Sequence, residues 1–212
     1  MKRIELVCGS LPSFMGAWFL PDPQLCQDLI EFFESNIGLQ REGVTSGGVD
    51  LTVKKSTDLL INPKDLRLAT HAAIAAYMKE LYGCYQDYLQ QWPFLAGFLP
   101  EVDIGSFNIQ KYQAGGHFSG VHSERCSLGN LHRVLAWMTY LNDVEDGGHT
   151  NFKHFGLNIK PERGKTLIWP AEWTHAHSGG VVQSGVKYIV TGWMHFPFVG
   201  KNISEFNFAA GA

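Results

Sequence analysis

Short β-rich runs broken by glycines constrain the fold of this chain more than any other feature of its sequence. The runs carry β-branched and aromatic residues, and no helical period of apolar residues lies between them. They span 105–113, 133–141, 166–169 and 186–196. The glycines that separate them stand at 115–116, 147–148, 164 and 179–180. Strands this short, without intervening helices, predict an antiparallel sandwich or barrel.

Helical periods dominate the first hundred residues. Asp22 and Pro23 supply an N-cap and a proline at the first helical position, and apolar residues then recur at helical spacing until Asn36. A second helix is predicted from 62 to about 91, with aromatic residues in a stripe at steps of three or four. We expect this stripe to pack in the core against a sheet.

Length and charge favour one domain and exclude several classes of function. We predict a single domain over 1–212, with a helical support region at about 1–99 and a β core at about 100–200; the class is mainly β with N-terminal helices (α+β). The 17 Lys and Arg residues against 20 Asp and Glu residues leave a net charge of −3, without the basic excess of a nucleic-acid partner. No uncharged apolar run reaches the ~20 residues of a membrane span. Four scattered cysteines are typical of a reducing compartment, so we expect a cytoplasmic protein.

Two segments carry residues with metal-binding or anion-binding chemistry. Alternate side chains of a strand share a face, so His122 and Glu124 point to one side. On its own this H-x-E tripeptide also fits an ordinary exposed pair. Lys187 shares a strand face with apolar or aromatic neighbours, and an inward lysine there needs an anionic partner. The alternative is an edge strand with Lys187 outward. His175 and His177 offer a further histidine, and two histidines with one carboxylate form the ligand set that selects non-haem Fe(II).

Taken in order, these segments resemble the Fe(II)/2-oxoglutarate dioxygenases, specifically their prolyl 4-hydroxylase-like group. The resemblance covers roughly 105 to 193. Its elements are Y-Q-A-G-G-H-F at 112–118, His122 with Glu124, Y-L-N-D-V at 140–144 with G-G-H-T-N-F at 147–152, G-K-T-L-I-W-P at 164–170, and finally His177, Gly185, Lys187 and Trp193. The family more often carries Asp where this chain has Glu124. One extra residue also lies between Tyr112 and His122.

The resemblance implies a fold and a cofactor set. The fold is a double-stranded β-helix (a cupin-like jelly roll) with packed supporting helices. Fe(II) is bound by His122, Glu124 and His177, with 2-oxoglutarate and O2 as co-substrates and ascorbate as a possible reductant. Lys187 pairs with the C5 carboxylate of 2-oxoglutarate. Tyr112, Thr191 and Trp193 complete the cofactor-binding set. The spacing to Lys187 selects His177 rather than His175 as the distal ligand.

The same resemblance implies hydroxylation of an unactivated C–H bond, foremost that of a prolyl residue in a peptide or protein, with release of succinate and CO2. A free amino acid or another small metabolite is the alternative substrate. A non-catalytic metal-dependent binding or sensing module is the alternative function. Arg125 and His175 are candidate substrate contacts, and the glycine-rich segment 38–58 is either a lid over the site or a surface loop. We expect neither a nucleic acid nor a membrane as partner, and the oligomeric state stays open.

Overall fold

The computed structural model describes residues 2–4, 12–45, 47–99, 101–197 and 206–207. These ranges contain three α-helices and fifteen β-strands. The helices are α1 (Pro23–Ser35), α2 (Ala72–Gln91) and α3 (Pro93–Phe98). The strands are β1 (Lys2–Ile4), β2 (Gly16–Phe19), β3 (Gln40–Glu42), β4 (Lys54–Lys55), β5 (Thr57–Ile61), β6 (Asp103–Ile104), β7 (Phe107–Gln113), β8 (His117–His122), β9 (Arg133–Tyr140), β10 (Thr150–Phe152), β11 (Leu157–Ile159), β12 (Lys165–Pro170), β13 (His177–Gly179), β14 (Val186–His195) and β15 (Phe206–Asn207).

Helix α1 begins where its sequence signals place it. The Asp22 side chain accepts a hydrogen bond from the Gln24 backbone N–H at 2.9 Å, and Pro23 occupies the first turn, where no backbone N–H is needed. Asn36 ends the helix as its C-cap. The apolar face of α1 is buried in the core, so packing adds to the capping.

The second predicted helix begins later than expected. Two 3-10 turns, Pro63–Arg67 and Ala69–His71, precede α2, and Leu68 between them has extended backbone (φ −77°, ψ 136°) that interrupts the helix. The apolar stripe of α2 is buried as predicted, because it packs in one core cluster with the outer face of the sheet. The prediction was therefore correct about the buried face and wrong about the start at residue 62.

The first hundred residues also contribute strands, which the prediction of a helical support region omitted. β2 pairs with β12, and β5 pairs with β7, so both join the large sheet. β4 pairs with β8 in the smaller sheet. The segment 38–58, expected to be a lid or a surface loop, contains β3 and β4 and is attached to both sheets. Strands of two to five residues escape periodicity analysis because a period of two needs several repeats to be visible.

Two antiparallel sheets form the body of the protein. The ten-stranded sheet runs β1-β2-β12-β9-β14-β7-β5-β3, with β6 paired to β14 and β15 paired to β6. The five-stranded sheet runs β11-β10-β13-β8-β4. One core cluster lies between the helices and the large sheet, and a second contains residues from both sheets. The mainly-β class with N-terminal helices is confirmed.

Within the described part of the chain, no helix combines the length and the apolar character that a membrane span requires.

Candidate metal and 2-oxoglutarate site

Two paired strands of the small sheet bring together two histidines. His122 ends β8, His177 begins β13, and the two residues are direct partners in the antiparallel register. Glu124 follows β8 by two residues, and its Oε1 lies 3.2 Å from Nε2 of His177 and 3.7 Å from Nε2 of His122. The ligand atoms of the three residues lie within 4.8 Å of one another. This spacing suits a single ion with two nitrogen ligands and one oxygen ligand.

The hydrogen bonds of the two imidazoles determine which nitrogen faces the site. Nδ1 of His122 donates to the Gly120 carbonyl, and Nδ1 of His177 donates to the His175 carbonyl, both at 2.9 Å. Each Nε2 therefore faces Oε1 of Glu124. If the rings are neutral, lone pairs meet the carboxylate, so the arrangement needs a cation between them. A metal ion satisfies all three groups at once, and the two carbonyls orient the rings for it.

Glu124 is an ionised carboxylate in this setting. Burial by itself would raise the pKa of Glu124, but in the absence of a metal ion, hydrogen bonds and positive charge from protons at Nε2 of His122 and His177 outweigh it and hold the pKa well below its usual range. The second carboxylate oxygen, Oε2, accepts a 2.6 Å hydrogen bond from the indole N–H of Trp193. Trp193, predicted to bind the cofactor, thus contacts a residue that is predicted to bind the metal.

Lys187 is buried on the inner face of β14, with a side chain only 2% exposed. Nζ donates to the Gly148 carbonyl at 2.9 Å and lies 4.5 Å from the centre of the Tyr112 ring. Gly148 has φ +67°, and this left-handed conformation suits a glycine. Among the described residues, no carboxylate forms an ion pair with Nζ, and burial lowers the pKa of Lys187 to about 8. The Lys187 ammonium thus has no carboxylate partner among the described residues, and it lines a cavity in which an anionic ligand can supply the negative charge.

The hydroxyl groups of two further residues predicted to contact the cofactor donate hydrogen bonds within the protein. Tyr112 lies opposite Lys187 in the register of β7 and β14, and its hydroxyl donates to Oε1 of Gln110 at 2.7 Å. The hydroxyl of Thr191 donates to the Trp137 carbonyl at 2.9 Å. Both residues line the same cavity as Lys187. Tyr112 therefore presents its ring, and not its hydroxyl proton, to the lysine.

The two predicted substrate contacts lie outside the lining of this cavity. Arg125 pairs with Glu172 at 2.9 Å and donates to the Arg133 carbonyl. His175 is buried in a 3-10 turn, Trp173–His175, where its Nε2 donates to the Ser13 carbonyl at 2.8 Å. His175 does not share a strand face with His177, because the 3-10 turn ends before β13 begins. The backbone carbonyl of His175 supports the site by accepting the hydrogen bond from Nδ1 of His177.

A cavity of about 690 Å³ joins the histidine–glutamate group to Lys187. Sequence reasoning missed several residues on its walls. Phe118 stacks on the His122 ring with centroids 4.0 Å apart, and Arg133 lies beside Glu124. Lys54 and Asp58 form a buried ion pair at 2.6 Å. Phe118 lies on β8 with His122, and alternation along the strand places both rings on one face. Nothing in the spacing of Arg133, Lys54 and Asp58 connects them to the site, because chain segments distant in sequence bring them there.

Comparison with known proteins agrees with this geometry. Residues 107–195 match the family model described as the 2OG-Fe(II) oxygenase superfamily, and this segment holds the two histidines, Glu124 and Lys187. This part of the chain is therefore similar to the 2OG-Fe(II) oxygenase superfamily. Oxygenases of this kind depend on Fe(II), 2-oxoglutarate and O2, and the His-Glu-His group of this chain has the donor set that Fe(II) takes in such enzymes.

Curated relatives of this chain carry prolyl 4-hydroxylase names. It is 23% identical to probable prolyl 4-hydroxylase 9 of Arabidopsis thaliana over 88% of this chain and 72% of that protein. It is 28% identical to prolyl 4-hydroxylase 13 of the same plant, over 47% of this chain and 46% of that one. The match to the human prolyl 4-hydroxylase subunit alpha-1, also 28% identical, covers 32% of this chain and only 14% of the subunit. The chain thus spans less than half the length of the latter two relatives.

Solved structures share the fold. The viral collagen prolyl hydroxylase of Paramecium Bursaria Chlorella virus-1 matches with a TM-score of 0.63 and 16% identity, over 91% of this chain and 99% of that chain. The Pseudomonas putida prolyl-4-hydroxylase matches with a TM-score of 0.65 and 15% identity, over 88% and 94%. The Trichoplax adhaerens prolyl hydroxylase, solved with a hypoxia inducible factor peptide, reaches 0.68 at 13% identity, over 87% and 84%. The predicted jelly-roll fold is confirmed.

Proposed function

We propose that this oxygenase hydroxylates an unactivated C–H bond of a prolyl residue in a peptide or protein. The observation that carries the proposal is one cavity that contains both the His122–Glu124–His177 group and the buried Lys187 without a carboxylate partner among the described residues. The prolyl 4-hydroxylase names of the relatives support the choice of substrate class.

His122, Glu124 and His177 would hold Fe(II) in this reaction. Three protein atoms leave the other positions of the metal open, as oxygenases of this ligand type require. Bound there, Fe(II) would supply the chemistry that couples decarboxylation of 2-oxoglutarate to succinate and CO2 with insertion of an oxygen atom into a C–H bond. The carbonyls of Gly120 and His175 keep both imidazoles in the tautomer that presents Nε2.

Lys187 would bind the C5 carboxylate of 2-oxoglutarate. The ammonium is buried, and a charge-assisted hydrogen bond to a carboxylate is stronger there than in water. The Tyr112 ring and the Gly148 carbonyl hold the lysine side chain in place. Thr191 lies on the same strand face and contributes to the wall beside it.

A chain-like substrate suits the shape of the rest of the cavity. Its lining extends from the buried Lys187 to exposed residues at the mouth, among them Val44, Leu60 and Val121. Apolar side chains in contact with solvent at the mouth favour a substrate that continues out of the cavity, such as a peptide. Arg41 and Glu42 on β3 add charges of both signs to the same rim.

The test is succinate release with candidate substrates. Proline-containing peptides should stimulate succinate release and gain one oxygen atom by mass, whereas matched peptides with alanine in place of proline should not. His177→Ala should abolish both signals, because it removes a metal ligand. His154→Ala, an exposed histidine that does not line the cavity, should leave both unchanged.

Two other outcomes would contradict the proposal. Stimulation by a free amino acid and not by any peptide would assign the enzyme to small-metabolite hydroxylation. Binding of Fe(II) and 2-oxoglutarate without succinate release from any substrate class would indicate a non-catalytic binding or sensing module.

A further inference from the structure

The two carboxylate oxygens of Glu124 have different surroundings. Oε1 faces Nε2 of both histidines, whereas Oε2 accepts the Trp193 indole N–H at 2.6 Å. Arg133 Nη1 also approaches Oε2, at 3.9 Å. A short hydrogen bond from a neutral donor to a buried carboxylate is among the stronger ones in proteins. Oε2 is therefore hydrogen-bonded to Trp193, while Oε1 faces the position between the two histidines where a metal ion would bind.

Arg133 holds the indole that makes this bond. Its guanidinium lies 3.5 Å from the centre of the Trp193 ring, a close cation–π contact. Nη1 of the same guanidinium donates to the backbone carbonyl of Glu124 at 3.0 Å. Arg133 thus contacts both the backbone of Glu124 and the Trp193 ring that binds the Glu124 side chain.

An irregularity between β9 and β14 brings Arg133 to this face. Ile189 pairs with Tyr140, and Trp193 pairs with Ala136, so regular pairing would set His195 opposite Val134. The register instead shifts between Met194 and His195, and His195 pairs with Arg133. A bulge moves the next side chain to the other face of a strand. Val134 accordingly packs in the core on the helix side of the sheet.

The contacts of Trp193 and Arg133 restrict the rotation of the Glu124 carboxylate. Glu124 has one more rotatable bond than an aspartate, so without an anchor its carboxylate can rotate and offer both oxygens to a metal. A second bound oxygen would occupy a position that 2-oxoglutarate or O2 needs. We propose that Trp193, held by Arg133, is a positioning residue that reserves Oε2 by hydrogen bonding, so that Glu124 binds metal through Oε1 alone. This inference rests on the metal assignment within the proposed function and does not depend on the substrate.

The test separates metal binding from 2-oxoglutarate binding. Trp193→Phe keeps a six-membered aromatic ring for Arg133 and removes the N–H together with the five-membered ring of the indole. We expect its affinity for Co(II), titrated anaerobically by calorimetry, to stay close to that of the wild-type protein. Its dissociation constant for 2-oxoglutarate on the Co(II)-loaded protein should rise by about tenfold, the fold-change that corresponds to the loss of one hydrogen bond to a charged group.

Two more variants make the result specific. Trp92→Phe is the matched control, because Trp92 packs on Phe14 and on the core cluster between the helices and the large sheet, and it does not line the cavity. Both affinities should be unchanged in this variant. Arg133→Met releases the indole without altering it, and it should weaken 2-oxoglutarate binding in the same direction. If Trp193→Phe does not fold by circular dichroism, Arg133→Met decides the question.

Three results would overturn the inference. An unchanged 2-oxoglutarate affinity in both variants would mean that Oε2 needs no anchor. A parallel loss of Co(II) and 2-oxoglutarate affinity would mean that the residues are merely structural. Absence of Co(II) binding by the wild-type protein would remove the metal assignment itself. Failure of prolyl peptides as substrates leaves these measurements unaffected, since no substrate is present in them.

Discussion

At the scale of single residues, Lys187 is the side chain whose chemistry depends most on its surroundings. It is a buried cation whose described partners are a backbone carbonyl and an aromatic ring. Both stabilise an ammonium, but neither carries a full negative charge, so burial lowers the pKa of Lys187 to about 8. A carboxylate placed at Nζ would reverse that effect and raise the pKa again.

The affinity for 2-oxoglutarate should therefore depend on pH. Below about pH 8 Lys187 is already protonated, and binding needs no proton uptake. Above that pH binding must also protonate the lysine, so the dissociation constant should rise by up to about tenfold per pH unit. Calorimetry on metal-loaded protein between pH 7 and pH 9.5 (about the range in which the lysine changes charge) measures this.

Lys187→Arg is the matched control for this prediction. Arginine stays charged over the whole range, so its 2-oxoglutarate affinity should be nearly independent of pH even if it is weaker. The same slope in both proteins would mean that another group is responsible.

At the scale of secondary-structure elements, β14 is central to the site. It lies between β7 and β9 in the large sheet and carries Lys187, Thr191 and Trp193 on its inner face. Gly192 lies between the last two and faces the opposite core, where a Cβ atom would come within 2.5 Å of the Trp137 ring and 2.6 Å of Phe107. The close packing on one face of this strand thus helps to determine where the functional side chains lie on the other.

Gly192→Ala should destabilise the protein. The added methyl group meets fully buried aromatic side chains, and overpacking of this kind costs about 1–3 kcal/mol. Urea unfolding should show a lower midpoint with an unchanged slope.

Gly38→Ala supplies the comparison, since no atom lies within 4 Å of the position its Cβ would take. It should change the free energy of unfolding by no more than about 0.5 kcal/mol. Equal effects at the two positions would argue against tight packing behind β14.

At the scale of the whole molecule, the site joins the two sheets. The two histidines belong to the small sheet, whereas Lys187 and Trp193 belong to the large one. The five-stranded sheet consists of strands of two to six residues, so it has little hydrogen-bonded pairing of its own. A metal ion that links β8, β13 and the segment after β8 should therefore contribute to the stability of this side of the molecule.

Metal binding should measurably stabilise the fold. Zn(II), used as a redox-inert probe at about 100 times its dissociation constant, should raise the free energy of unfolding by roughly 2.7 kcal/mol, and EDTA should reverse the gain. Urea unfolding with and without the metal measures the difference.

Two variants test where the ion binds. His177→Ala should lose most of the gain, whereas Lys187→Ala should keep it and lose only the additional stabilisation by 2-oxoglutarate. A full gain in His177→Ala would place the stabilising ion elsewhere.

Much of the fold could be predicted from local patterns. The N-cap at Asp22, the apolar periods of the helices and the four β-rich runs are properties of neighbouring residues, so they can be recognised without the fold. The short strands of the first hundred residues were missed, because a strand such as β4 consists of two residues that pair with a distant partner.

The sequence by itself determined the chemistry that this protein has available: two histidines, a glutamate and a lysine in a recognisable order. Only the tertiary structure decided how these residues are held. Backbone carbonyls select the Nε2 atoms, a bulge turns Arg133 inward, and Trp193 takes one oxygen of Glu124. In the folded protein, His175 and Arg125 do not line the cavity. The physical reason is that spacing along a chain records which residues are near in sequence, whereas orientation depends on register shifts and on partners from distant strands.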